Sequence, residues 1–195
     1  MDMDNMMNEM GGAFMVAWLA GGMDSLGGAL VLAAAWMAIS GAHILPVITW
    51  GHIMTGDLGD TDAWMDNGTR LLAQVVGAIL ALMLIGGGTI AGVETETTMW
   101  SFDLWDTLGA VAAGALLWTV YDRCDAWVTA FVVMAIVATA TDDVAAVIDF
   151  GGASNMGTSL VGGGDDVVAA MVAWVMGGLW AGVGAMVATK VPDLI

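Results

Sequence analysis

The chain has 195 residues, 59% of them hydrophobic, 12% charged and 28 of them glycine, with a mean hydropathy of +0.84. A soluble domain keeps about a quarter of its residues charged, so this balance excludes an ordinary soluble domain and predicts an integral membrane protein. The 20 acidic residues against 3 basic ones argue against nucleic acid as a partner, because its recognition needs clustered Lys and Arg.

Long apolar runs rich in glycine favour a helical bundle over a barrel, which alternates polarity and turns about every ten residues. At roughly 20 residues per crossing the length allows about six spans in one compact membrane domain, residues 1–195. The formal net charge of -17 has two readings. It suits loops of a halophilic protein in high salt, or it concentrates cations at pore mouths. Cys124 is the single cysteine, which excludes an intrachain disulfide. The start, MDMDNMMNEM, lacks the basic region of a cleavable signal.

In chain order, residues 6–22 are predicted as the first helix and 25–39 as the second, with a glycine-containing turn between them. SGAHILPVITWGHIMT, residues 40–55, then places a polar break and a proline where a span should leave the bilayer. The apolar run that follows, 47–54, is too short to cross, which is the pattern of a re-entrant half-helix. Residues 56–70 read as a hydrophilic loop with four aspartates, and 71–91 as the third span. ETETTMWSFD is the next loop, followed by a fourth span at 104–120, the short loop YDRCD and a fifth span at 126–141. A second irregular region, 142–166, holds an apolar stretch at 144–148 and a small-residue segment at 151–164, both too short to cross. The sixth span is 167–189.

The order span, span, half-span, span occurs twice, over about 1–100 and 101–195. Three spans per half give the halves opposite orientations, an inverted repeat of the kind that meets at the membrane midplane. Arg70, Arg123 and Lys190 then fall on one side. The positive-inside tendency makes that side the cytoplasm, so both termini are expected to be cytoplasmic in a protein of the cell membrane. Glycines such as Gly11–Gly12, Gly109, Gly114, Gly177–Gly178 and Gly182 read as close helix packing. Trp50, Trp64, Trp100, Trp105 and Trp127 read as an interfacial belt.

SGAHILPVIT resembles the first signature loop of the aquaporin and aquaglyceroporin family, SGxHxNPAVT. GASNMGTSL resembles the second signature, and RLLAQVVGAILALMLIG the family's third helix, including its glutamine at Gln74. Glu9, in NEMGGAF, falls where the family's first helix carries a buried glutamate, with Asp106 as its counterpart in the fourth. The resemblance implies an all-α membrane protein: a bundle of six transmembrane helices with two re-entrant half-helices. It also implies a homotetramer in membrane lipid, a small-molecule permeant and no cofactor.

The departures concern the groups that select. For the first Asn-Pro-Ala this chain has Leu45, Pro46 and Val47, and for the second Asn155, Met156 and Gly157. Leucine thus replaces one of two asparagines that, in the family, donate to a passing water. Pro46 still suits the first turn of a helix, whereas Met156 does not supply that proline. By the same correspondence Thr158 stands where the family has a filter arginine. Asp143 falls at the filter histidine, and Gly152 and Ser25 at the two remaining filter positions. Such a constriction is wider than a water filter, and acidic instead of basic. Two charges about 4 Å apart interact by ~4 kcal/mol at an effective dielectric of 20, so this exchange weakens the barrier to cations. The positive ends of the half-helices, each roughly half a charge, oppose that effect.

His43 matches the signature histidine and reads as a loop-packing residue before a protonation gate. His52 reads as a polar lining or loop contact, and its spacing from Asp57 is not that of a metal site. Asp142–Asp143 and Asp165–Asp166 read as solvated loop charge. Nucleophile–base pairs, phosphate loops and cysteine clusters are absent, which argues against an enzyme. The expected function is an aquaporin-like channel for water or a small uncharged solute such as glycerol. The alternatives are a channel passing ammonium or another small cation, and a non-conducting membrane subunit with a structural role.

Overall fold

Short polar residues set where the helices begin. Ser25 caps α2 (Leu26–Ala38), its hydroxyl accepting from the Gly28 N–H at 3.1 Å. Asp103 caps α5 (Leu104–Arg123), its carboxylate accepting from the N–H groups of Trp105 and Asp106 at 2.8 and 3.1 Å. Asp60 does the same for α4 (Thr61–Ile85), accepting from Asp62 and Ala63 at 2.9 and 3.2 Å. Pro46 opens α3 (Pro46–Thr55), where its fixed φ and missing N–H suit the first helical turn. The remaining helices are α1 (Met3–Leu19), α6 (Ala126–Thr139) and α7 (Val167–Lys190). The computed structural model describes residues 2–19, 25–85, 100–139, 160 and 167–190, and all regular structure among them is α-helical.

Among the described residues, three helices are long and apolar enough to cross a membrane: α4 with 25 residues, α5 with 20 and α7 with 24. α1, α2 and α6 have 17, 13 and 14 residues, fewer than the roughly 20 of a full crossing. α4 departs from expectation, because residues 61–70 are helical and not loop. The Asp60 cap supplies the physical reason, and it puts Arg70 on the same helix as Gln74, one turn away. α5 likewise runs to Arg123, three residues past the predicted end. Residues 86–91 of the third predicted span and all of 142–159 and 161–166 lie outside the described residues.

Packing pairs α1 with α4 and α5 with α7, and more lightly α1 with α2 and α5 with α6; α2 lies against α6. α3 is enclosed, seated on α7 and touching α4 and α5. Glycine makes the two tightest pairings possible, since a Cβ on Gly77 would strike the Met10 carbonyl and one on Gly114 the Ala181 carbonyl. The main apolar core joins Leu32 of α2, Ile44 and Leu45 of the loop, Ile48 of α3, Leu117 of α5, Val133 of α6 and Ala181 of α7.

Trp50 corrects the interfacial reading. It is 7% exposed, and Gly178 and Gly182 of α7 leave the slot into which its ring and backbone fit. A short helix turned inward buries a residue that its sequence position puts at a membrane boundary. Trp64, Trp105 and Trp127 are exposed, as a belt requires.

On α1 the inward face is Glu9, Gly12, Ala13 and Val16, the i, i+3, i+4, i+7 set of one helix face. A Cβ on Gly12 would sit 2.6 Å from Ile44 Cγ1, so this glycine makes room for a loop side chain. Gly12→Val should therefore lower stability by about 1–3 kcal/mol through overpacking. Gly11→Val should cost little steric energy, since its added Cβ meets nothing within 4 Å. Thermal unfolding of the two variants in detergent, compared side by side, checks this.

Candidate functional site

The break between α2 and α3 takes its shape from two left-handed residues, Gly41 at φ 80° and Ile44 at φ 65°. Glycine adopts this conformation freely, whereas a β-branched residue there costs on the order of 1–3 kcal/mol. Ile44 is held by burial (0% exposed) and by its N–H, which donates to Glu9 Oε2 at 2.8 Å.

Glu9 is the centre of the site. It is 0% exposed, and its carboxylate accepts from four groups on two segments. Oε1 takes the His43 N–H at 2.7 Å and Arg70 Nη1 at 2.5 Å. Oε2 takes the Ile44 N–H at 2.8 Å and Gln74 Nε2 at 2.8 Å. An ionised carboxylate offers about four lone-pair positions, so this one is saturated. Arg70 Nη1 also donates to the Gly41 carbonyl at 3.0 Å, tying the start of the loop to α4.

The network continues into α3 and α5. Gln74 Nε2 donates to Thr49 Oγ1 at 3.0 Å, and Thr49 Oγ1 pairs with His43 Nδ1 at 3.1 Å. The Gln74 carbonyl oxygen is buried without a hydrogen-bond partner. The imidazoles of His43 and His52 stack at 4.1 Å and 4°. Trp118 and Tyr121 of α5 stand nearly perpendicular to His52, at 5.0 and 5.8 Å. Trp36 of α2 donates from Nε1 to the His43 carbonyl at 3.0 Å. One buried ion pair thus fixes a loop, and the loop aims the half-helix into the bundle.

Glu9, His43 and Gln74, three of the four residues singled out as structural, meet in this network. Asp106, the fourth, is partly buried in the first turn of α5, and none of the bonds to Glu9 involves it. Leu45 is the N-cap residue of α3 and 0% exposed; Pro46 and Val47 follow it, both buried. Ser25 is exposed and caps α2. Asp143, Gly152, Asn155, Met156, Gly157 and Thr158 lie outside the described residues.

Arg70, Thr49, Trp36, Trp118 and Tyr121 are members that sequence reasoning did not assign to the site. Arg70 had an available signal, since it lies four residues before Gln74 on a shared helix face. Tyr121 and Trp36 had none, because they reach the histidines only through the packing of α5 and α2.

Two cavities open where helices end. One, of about 350 Å³, is lined by Trp36, Ile39, Gly41 and Ala42 on one side and Tyr121, Asp122, Cys124, Ala126 and Thr129 on the other. The second, of about 420 Å³, is lined by Thr55, Trp118, Thr119, Asp122, Arg123, Ala188 and Thr189, which brings the C-terminal ends of α3, α5 and α7 together. Among the described residues no three His, Cys, Asp or Glu side chains gather as a metal site requires. Comparison with protein-family models, with curated proteins and with solved structures finds no match for this chain.

Proposed function

We propose that this protein is an aquaporin-like membrane channel for passive flow of water or a small uncharged solute such as glycerol. The observation that carries the reading is the buried Glu9 carboxylate holding His43 and Ile44, so that a ten-residue half-helix starts inside the bundle. Irregular backbone at membrane depth survives where protein buries it or where it lines a watery cavity; this loop is buried from Ala42 to Leu45, and Gly41 and Ala42 line a cavity. The helix pairings support an inverted repeat: α1 with α4 matches α5 with α7, and α1 with α2 matches α5 with α6. The halves then meet where α2 lies against α6 and where α3 lies against α7 and α5. The shared cavity of Thr55, Arg123 and Thr189 supports one basic side for α5 and α7, which the reading makes cytoplasmic. A homotetramer follows from the resemblance alone.

A neutral permeant is favoured over a cation at the described half of the bundle. Glu9 and Arg70 cancel each other, so the positive N-terminal end of α3 keeps its roughly half charge without a nearby net negative side chain. A non-conducting subunit is the second reading, and Leu45 favours it, being fully enclosed in apolar side chains. Stopped-flow light scattering on reconstituted vesicles separates the two. Water or glycerol permeability well above that of empty vesicles is expected; equality with empty vesicles would sink the channel.

A further inference from the structure

The cavity of about 350 Å³ between the ends of α2 and α5 has a chemistry that the channel reading leaves unused. We infer that it binds a small organic ammonium ion, with Trp36 and Tyr121 as aromatic walls and Asp122 as counter-charge. The inference stands on the cavity alone and holds whether or not the protein conducts.

Four observations converge. Trp36 and Tyr121 both line the cavity, and their rings meet at 57° with centroids 6.1 Å apart, two walls of one corner. Their polar atoms are engaged with the histidines, Trp36 Nε1 with the His43 carbonyl and Tyr121 OH towards His52 Nε2 at 3.5 Å, and the parts of the rings not packed on the core, His52 or Trp118 line the cavity. Aromatic faces attract an ammonium group within about 6 Å, most strongly a bulky, weakly hydrated one. The charge has the matching sign. Asp122 is exposed at the rim; no basic side chain is among the lining residues, and Arg70, which donates to the carbonyl of the lining residue Gly41, is paired with Glu9.

Backbone polarity adds to it. Ile39 and Cys124, the C-cap residues of α2 and α5, both line the cavity, which therefore lies at two negative helix ends. The positive end of α6 is also near, at Ala126, and offsets one of these two negative ends. Asp122 also lines the neighbouring cavity, where it stands beside Arg123. The space exceeds that of a tetramethylammonium ion, so a free solute or an ammonium-bearing lipid headgroup at the membrane surface fits the same description.

The probe is tetramethylammonium, titrated against purified full-length protein in maltoside detergent and followed by saturation-transfer NMR, with tert-butanol as the uncharged isostere. Saturable binding of the cation with at least tenfold preference over tert-butanol is expected. Asp122→Asn should weaken it about tenfold, and Arg123→Gln should leave it equal or tighter. Alkylation of Cys124, which is exposed and lines the cavity, should abolish it without any change of sequence. Trp36→Leu should do likewise if it folds. Equal binding of tert-butanol, a change under twofold in Asp122→Asn, or full binding after alkylation would overturn the site. Repeating the titration in phosphatidylcholine and phosphatidylglycerol vesicles distinguishes the sources. Competition in the first only assigns the headgroup, and equal affinity in both assigns the free ion.

Discussion

Glu9→Gln is expected to destabilise the protein by about 3–5 kcal/mol, the range for removing one partner of a buried ion pair. The amide cannot stand in for the carboxylate. Oε1 faces the His43 N–H and Arg70, and Oε2 faces the Ile44 N–H and Gln74, so either orientation of the new NH₂ opposes two donors. Arg70 is left 18% exposed with its charge uncompensated. Ile44 loses the bond that helps to hold its left-handed backbone. Arg70→Met alone removes the charge partner and the bond to Gly41, yet leaves three donors on Glu9. The double variant carries neither isolated charge, and its loss should fall short of the sum of the single losses by about 0.5–3 kcal/mol. Unfolding in a denaturing detergent titration, followed by far-UV circular dichroism, measures the cycle. A loss under 1 kcal/mol for Glu9→Gln would show that the carboxylate does not anchor the loop, and strict additivity would show that Arg70 is not coupled to it.

The half-helix was legible because its signals are local. A polar break, a proline and a short apolar run place α3 within a residue at each end. What the sequence could not display is what the half-helix is tied to. His43 and Glu9 are 34 residues apart, Gln74 and Glu9 are 65 apart, and His52 and Tyr121 are 69 apart. The resemblance reached Glu9, His43 and Gln74 by analogy. Arg70 opens the segment that resembles the third helix, but it was read as the end of a loop, because a run of aspartates concealed a capped helix start. Trp50 misled for a similar reason, since position along a chain says which depth a residue occupies but not which way a ten-residue helix turns it. Composition gave the helical class correctly, and α2 and the described part of α6 lie within two residues of the segments assigned to them, 25–39 and 126–141.

Leu45 decides whether the described half of the bundle is a path or a plug. It is 0% exposed and belongs to one apolar cluster with Leu32, Leu117 and Val133, drawn from α2, α5 and α6. Truncation to alanine should cost about 2–5 kcal/mol if the neighbours do not collapse. In a channel the same truncation widens an apolar constriction, and water permeability should rise several-fold over the wild type. Leu45→Asn separates the two readings more sharply, because a buried amide without partners costs about 1–3 kcal/mol. Beside a hydrated path water satisfies that amide, so Leu45→Asn should be as stable as Leu45→Ala and at least as permeable. In a dry core it should be less stable than the alanine variant, with no gain in permeability. Thermal unfolding and stopped-flow permeability on the same two preparations give both readouts. An asparagine variant that is unstable and closed would establish Leu45 as structural packing and leave the half-helix without a conducting role.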